Sequence, residues 1–234
     1  MARYKDAIAT FAAGDLAVIF TPDDTHFEIA KACIAHGMHL CVTKPLVHTL
    51  AQHRELAALA LRHGVMSYVE VHKRCDPIYV DARARLRKFG DFSLFQAFMS
   101  QPKKQLTTFA SWAGVSSDIS FYLNSHHVDY HCWCMQGVAT PVSVCASAST
   151  GVASATLGRE CADSITLMVQ WRNNGSGSLG TATCDVPFPR CICVTVCAGT
   201  RRRGRPAPAT CTGAKMPPSS PRSHSDCMGM ILAS

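Results

Sequence analysis

Leu16-Ala17-Val18-Ile19-Phe20, Phe27-Glu28-Ile29-Ala30-Lys31-Ala32-Cys33-Ile34-Ala35-His36 and His39-Leu40-Cys41-Val42 decide the fold. The first and third stretches are short apolar runs with the length of buried strands, whereas the middle one repeats its apolar residues at helical spacing. Thr25-His26-Phe27-Glu28 reads as a capping box ahead of that helix, and Gly37 closes it. Thr49 caps a further helix. Strand, helix, strand, helix is half of a doubly wound α/β sheet, in which ligands sit beyond the carboxyl ends of the strands. Thr43-Lys44-Pro45-Leu46 falls at that edge.

The same reading extends outward. Residues 65–71 form an apolar strand, Asp76-Pro77 opens a helix that runs to about Lys88 before Gly90, and 92–99 is again a strand. A helix is predicted over 118–135, followed by strands at 141–150, 164–171 and 178–183, the last two joined by the turn signal Asn173-Asn174-Gly175. The expected fold class is α/β: a partial Rossmann-type parallel sheet followed by an α+β domain with an open, mostly antiparallel sheet. Its boundaries are 1–73 for the C-terminal half of a dinucleotide-binding domain, 74–183 for a substrate and oligomerisation domain, and 184–234 for a basic, Cys- and Pro-rich tail. Disorder is expected for most of that tail, with a strand-like patch at 192–196.

Composition excludes some classes. The 234 residues, 47% apolar and 17% charged, suit an ordinary globular protein, and no apolar run approaches the roughly 20 residues of a membrane span. No secretory signal is visible, so a cytoplasmic location is expected and the thirteen irregularly spaced cysteines are read as free thiols. Of the net charge of +7, +5 falls in 184–234, which carries seven Lys or Arg against two Asp or Glu. The main body is nearly neutral, and no specific nucleic-acid partner is expected: the run Arg201-Arg202-Arg203-Gly204-Arg205 has no interleaved aromatic residues for base stacking.

Four strings together resemble the Gfo/Idh/MocA oxidoreductases, the glucose-fructose oxidoreductase and inositol dehydrogenase family: Val18-Ile19-Phe20-Thr21-Pro22-Asp23-Asp24-Thr25-His26, Thr43-Lys44-Pro45-Leu46, Val69-Glu70-Val71-His72-Lys73-Arg74, and Tyr122-Leu123-Asn124-Ser125-His126-His127-Val128-Asp129. The resemblance covers 16 to about 183, and its nearest flavour is D-galacturonate reductase-like. It implies NADP or NAD as cofactor, a sugar, sugar acid or polyol as substrate, hydride transfer as the reaction, and a homo-oligomer built through the open sheet. It also implies a Gly-rich loop on the order of 60 residues upstream of Leu16. Gly14 is the first glycine here, so a truncated or frame-shifted reading of a longer enzyme is expected, with an inactive scaffold of the same fold as the alternative. Thr43 stands where the family has a glutamate, and Tyr122 where it has an aspartate.

The candidate catalytic residues are Lys44, His126 and Tyr122. A carbonyl oxygen gains charge as hydride arrives, so a cation or proton donor must stand beside it, and the resemblance places the Lys44 ammonium there, with Pro45 fixing its turn. His126, whose imidazole ordinarily titrates near neutrality, would relay the proton. Tyr122 lies one helical turn before it, and its phenol would orient substrate or else pack in the core. Thr21 and Pro22 close a strand at the edge that the family uses for the nicotinamide end of the cofactor, and His26, Lys44 and Pro45 complete the expected cofactor contacts. His26 and His72 read singly as polar surface histidines. His127, His131 and Cys134 share a helix face but have no fourth partner at zinc spacing, so no metal is expected.

Overall fold

The computed structural model describes residues 3–173, 176–188 and 197–200. A short helix α1 (Arg3–Ile8) leads into strand β1 (Leu16–Ile19), helix α2 (His26–Ala35), β2 (His39–Thr43), α3 (Leu50–His63) and β3 (Ser67–Glu70). The three strands are parallel in the order β1-β2-β3, with Val18 beside Cys41 and Val42 beside Val69. Alternation of the strand side chains sends Ile19, Leu40 and Val42 to one face, where they bury Ala30, Cys33 and Ile34 of α2 and Leu56 and Ala60 of α3. This is the expected βαβα arrangement, and all three strands end on one edge.

The ends of α3 follow the sequence closely. The Thr49 side chain accepts the Gln52 amide at 3.2 Å, and Gly64 takes the left-handed conformation just after the last turn. Replacing Thr49 by Ala removes that acceptor. It is expected to cost about 1 kcal/mol, read as a lower urea midpoint at unchanged slope.

Beyond β3, a 3-10 turn at His72–Arg74 leads to α4 (Pro77–Leu86), capped by the Asp76 carboxylate, and then to the long strand β4 (Phe92–Pro102). A single helical turn α5 (Leu106–Phe109) precedes the pair that carries the site: a π turn at Ser120–Asn124 continued by α6 (Ser125–Met135). The remaining elements are β5 (Ala139–Thr150), α7 (Val152–Leu157), β6 (Ala162–Asn173), β7 (Ser176–Phe188) and β8 (Cys197–Thr200). The second sheet has the order β5-β6-β7-β4-β8 and is antiparallel except where β4 runs parallel to β7. Its β6–β7 register, Asn173 opposite Ser176, is that of the hairpin read from the sequence.

Three expectations are corrected here. The capping box at 25–28 does not form: Thr25 begins α2 from a helical conformation, and its hydroxyl donates instead to the Thr21 hydroxyl at 2.7 Å and the Pro22 carbonyl at 2.6 Å. The helix expected over 118–135 is interrupted by the π turn, because Asn124 reaches across to the Ile165 carbonyl of β6 at 3.0 Å and to the Ser120 hydroxyl at 3.1 Å. The boundary at 184 cuts through β7, in which Cys184 is fully buried among Met99, Ile119 and Leu123, and residues 197–200 pair with β4. The strand-like patch at 192–196 and the expectations for 201–234 lie outside the described residues. No helix of the described residues is long and apolar enough to cross a membrane.

Candidate active site

The carboxyl ends of β1, β2 and β3 each deliver part of one cluster. After β1, Thr21 and Pro22 are exposed and a 3-10 turn at Asp23–Thr25 follows. His26 is completely buried, its Nδ1 at 2.9 Å from the Pro45 carbonyl and its Nε2 at 2.9 Å from the Thr21 carbonyl. Neither nitrogen is left for a ligand, so His26 is corrected from a cofactor contact, and from a surface histidine, to a brace between the two turns. Pro45 likewise has its carbonyl engaged by that brace.

Lys44 stands immediately after β2, next to a cis peptide bond to Pro45. Its Nζ donates to the Tyr122 carbonyl and lies 4.5 Å from the centre of the Tyr122 ring. Burial pushes its titration down to about 8, against the opposing pull of Asp23 and Glu70 and with added repulsion from Lys73. An amine that titrates there can both give and take a proton near neutral pH.

His126, on the first turn of α6, is 7% exposed. Burial first, then the positive charges of Lys44, Lys73, His72 and His127, drive its imidazole down to about 2. It is therefore a neutral ring at physiological pH, not the group titrating near neutrality that the sequence suggested. Its Nδ1 is buried without a protein partner, and its ring meets that of His72 edge-on at 4.7 Å. The π turn changes the expected pairing with Tyr122. That ring packs on Phe109 at 5.0 Å and Trp112 at 5.4 Å, so Tyr122 serves Lys44 with its carbonyl and ring face.

Sequence reasoning missed Lys73. The residue is 7% exposed, and its ammonium donates to the Tyr79 hydroxyl at 2.5 Å and sits 4.1 Å from that ring's centre; burial lowers its titration to about 8 as well. The signal was available, since Lys73 follows the end of β3 as Lys44 follows the end of β2. Glu70 and His72 flank it, 3.6 Å apart. Asp23 was missed too: it takes the Ser117 hydroxyl at 2.5 Å and lies 3.1 Å from the His48 Nε2. Burial alone would raise its carboxyl, but these two partners hold it below the usual range. The His48 ring lies 4.5 Å from Phe121, so this group binds the parallel sheet to the segment bearing the π turn.

Arg74 gives α6 a second anchor, a two-pronged pair with Asp129 at 2.8 and 2.5 Å. The guanidinium is 45% exposed, so Arg74→Ala is expected to cost less than about 1 kcal/mol in chemical unfolding. An open groove of about 620 Å³ adjoins the cluster, lined by Pro45, Ser120, Asn124, Ser125, Ser147 and Leu167 among others. Among the described residues no three His, Cys, Asp or Glu converge as metal ligands; His131 is instead stacked on Phe95 at 3.8 Å.

Comparison with known proteins gives this arrangement a relationship. Residues 2–71 match the model of the oxidoreductase family GFO_IDH_MocA, described as an NAD-binding Rossmann fold. The uncharacterized oxidoreductase YdgJ of Escherichia coli is 35% identical over 118 residues, 49% of this chain and 34% of that protein. The scyllo-inositol 2-dehydrogenase (NADP(+)) IolW of Bacillus subtilis is 24% identical over 120 residues, 49% of this chain and 33% of its own. Among solved structures, myo-inositol 2-dehydrogenase from Lactobacillus plantarum superposes with a TM-score of 0.70 at 20% identity, covering 82% of this chain and 56% of that one. Scyllo-inositol dehydrogenase from Lactobacillus casei, with bound NAD(H) and scyllo-inositol, gives 0.67 at 16% identity, covering 82% and 56%. The chain spans about a third of the length of these curated relatives and just over half of the solved chains. Through residues 2–71 the chain is similar to the Gfo/Idh/MocA oxidoreductases, whose family model is an NAD-binding Rossmann fold.

Proposed function

We propose that the chain serves an NAD(P)-dependent oxidoreductase that interconverts a hydroxyl and a carbonyl on a sugar, sugar acid or polyol. The observation that carries the reading is Lys44: an amine at the carboxyl edge of the parallel sheet, titrating at about 8, across from a neutral buried imidazole. The residues at this edge fit the nicotinamide half of a dinucleotide. Thr21 and Pro22 are exposed where that half would lie, and the unpartnered His126 Nδ1 leaves a buried polar atom for a substrate oxygen. Inositol dehydrogenases among the relatives support a polyol, and the two ammonium groups of Lys44 and Lys73 suit an oxygen-rich or carboxylate-bearing substrate equally well.

A bound nicotinamide supplies or accepts the hydride. In the reducing direction the Lys44 ammonium neutralises the charge growing on the carbonyl oxygen and delivers the proton; in the oxidising direction its neutral amine takes the proton back. At neutral pH His126 is an uncharged ring with one N–H donor and one acceptor nitrogen. Its part is to hydrogen-bond a substrate hydroxyl and set the angle of the reacting carbon. Tyr122 holds the Lys44 amine through its carbonyl and ring face. The β5 strand, exposed over 140–150, supports pairing of two copies through the open sheet.

Calorimetric titration of the chain with NADH and NADPH tests the reading directly. Saturable binding tighter than about 1 mM is expected for at least one of them, and heats of dilution alone for both would defeat it.

A further inference from the structure

His26 carries more than a packing role. Its ring has no exposed surface, yet both nitrogens lie 2.9 Å from carbonyl oxygens, Pro45 on one side and Thr21 on the other. Carbonyl oxygens only accept. A neutral imidazole has a single N–H, so one of its nitrogens would point a lone pair at an oxygen lone pair with no water to intervene; only the doubly protonated ring donates to both. Among the described residues no carboxylate is hydrogen-bonded to the ring, so the two carbonyl dipoles are its immediate counter-charge. We propose that His26 is a positioning residue, held as a buried imidazolium, whose two N–H groups pin the turn after β1 to the turn after β2 and so fix the Lys44 amine at the site.

The connection to Lys44 is short. Pro45 is the next residue, its carbonyl is one end of the brace, and the Lys44 amine is held at its other end by the Tyr122 carbonyl. The backbone on one side and the amine on the other are then both fixed. The exposed Thr21 and Pro22 turn is set by the same ring, so one imidazolium places two features that the proposed oxidoreductase reading uses, and its significance for catalysis rests on that reading.

Two measurements on the whole chain test the proposal, and neither needs a bound cofactor or turnover. They therefore hold or fail apart from the calorimetric test above. The first is nitrogen-15 NMR of histidine-labelled protein at pH 7, with His26 assigned by its absence from His26→Gln, or by nuclear Overhauser contacts if that variant does not fold. Both His26 ring nitrogens are expected to carry a proton; one bare nitrogen in the folded chain overturns the proposal. The second is trace acylation with acetic anhydride at pH 7, read by peptide mass spectrometry. Lys44, depressed in its titration, is expected to react at least tenfold faster than the exposed Lys103. In folded His26→Gln, which keeps one donor of the two, that excess is expected to drop at least fivefold as the amine is released to solvent. An unchanged excess in the variant, or no excess in the wild-type chain, overturns the positioning role.

Discussion

Gly180→Ala is expected to destabilise the fold by about 3 kcal/mol, although alanine is the better strand residue. Gly180 lies inside β7, opposite Phe95 of β4 and Val169 of β6. A Cβ there would stand 2.3 Å from His131 Cε1, 2.7 Å from His131 Nδ1 and 3.0 Å from Trp171 Nε1. None of these can retreat, because the His131 ring is stacked on Phe95 at 3.8 Å and held by Trp171 at 4.3 Å, and both rings are buried. Relief would have to come from a shift of α6 off the sheet, and α6 also carries His126. Urea unfolding checks the sign: a midpoint equal to or above the parent's would mean that His131 does not occupy this slot. The propensity gain from removing a strand glycine is at most about 1 kcal/mol, too small to hide the clash.

The same contrast between local preference and distant packing explains what the sequence disclosed. Lys44 was legible because the apolar run before it, the helix after it and the rule about strand carboxyl ends are all local patterns, and the turn they predicted is where the structure has it. Lys73 lies just beyond the end of β3, and the sequence alone did not mark it because its burial depends on Tyr79, in the helix that follows. The π turn was illegible for a different reason. Asn124 is bonded to a strand 41 residues later, and no window around 118–135 contains that partner. The capping box failed locally: Thr21 and Pro22 supply acceptors to which the Thr25 hydroxyl donates, and its oxygen does not accept from a helix amide. The end of β7 failed at long range, since Asp185 is held in register by Ser164 and Ser100, which a composition shift at 184 does not reveal. His26 shows the limit of reading polarity as exposure, because both of its ring nitrogens find carbonyl partners inside the fold.

Lys44→Met should lower turnover of the proposed oxidoreductase by about 10²- to 10⁴-fold while leaving the fold intact, since a half-buried methionine fills the same space without an acid, base or charge. The loss should fall on kcat more than on KM, because the interaction strengthens only as charge develops on the substrate oxygen. The pH profile gives the assignment its sharper test. The Lys44 amine titrates at about 8: below that it is the ammonium that carbonyl reduction needs, and above it is the base that alcohol oxidation needs. Reduction should therefore fall as pH rises through about 8, and oxidation should rise through the same limb. His126, neutral down to about 2, can produce no limb in this range. Lys73 can, because burial brings it to about 8 as well, so the limb alone does not identify its owner. Lys73→Met separates them. Removing its charge should raise the Lys44 titration by taking away a repulsive neighbour, moving the limb to higher pH without abolishing it. A limb that vanishes in Lys73→Met and survives in Lys44→Met would transfer the proton to the third strand and leave Lys44 an electrostatic bystander.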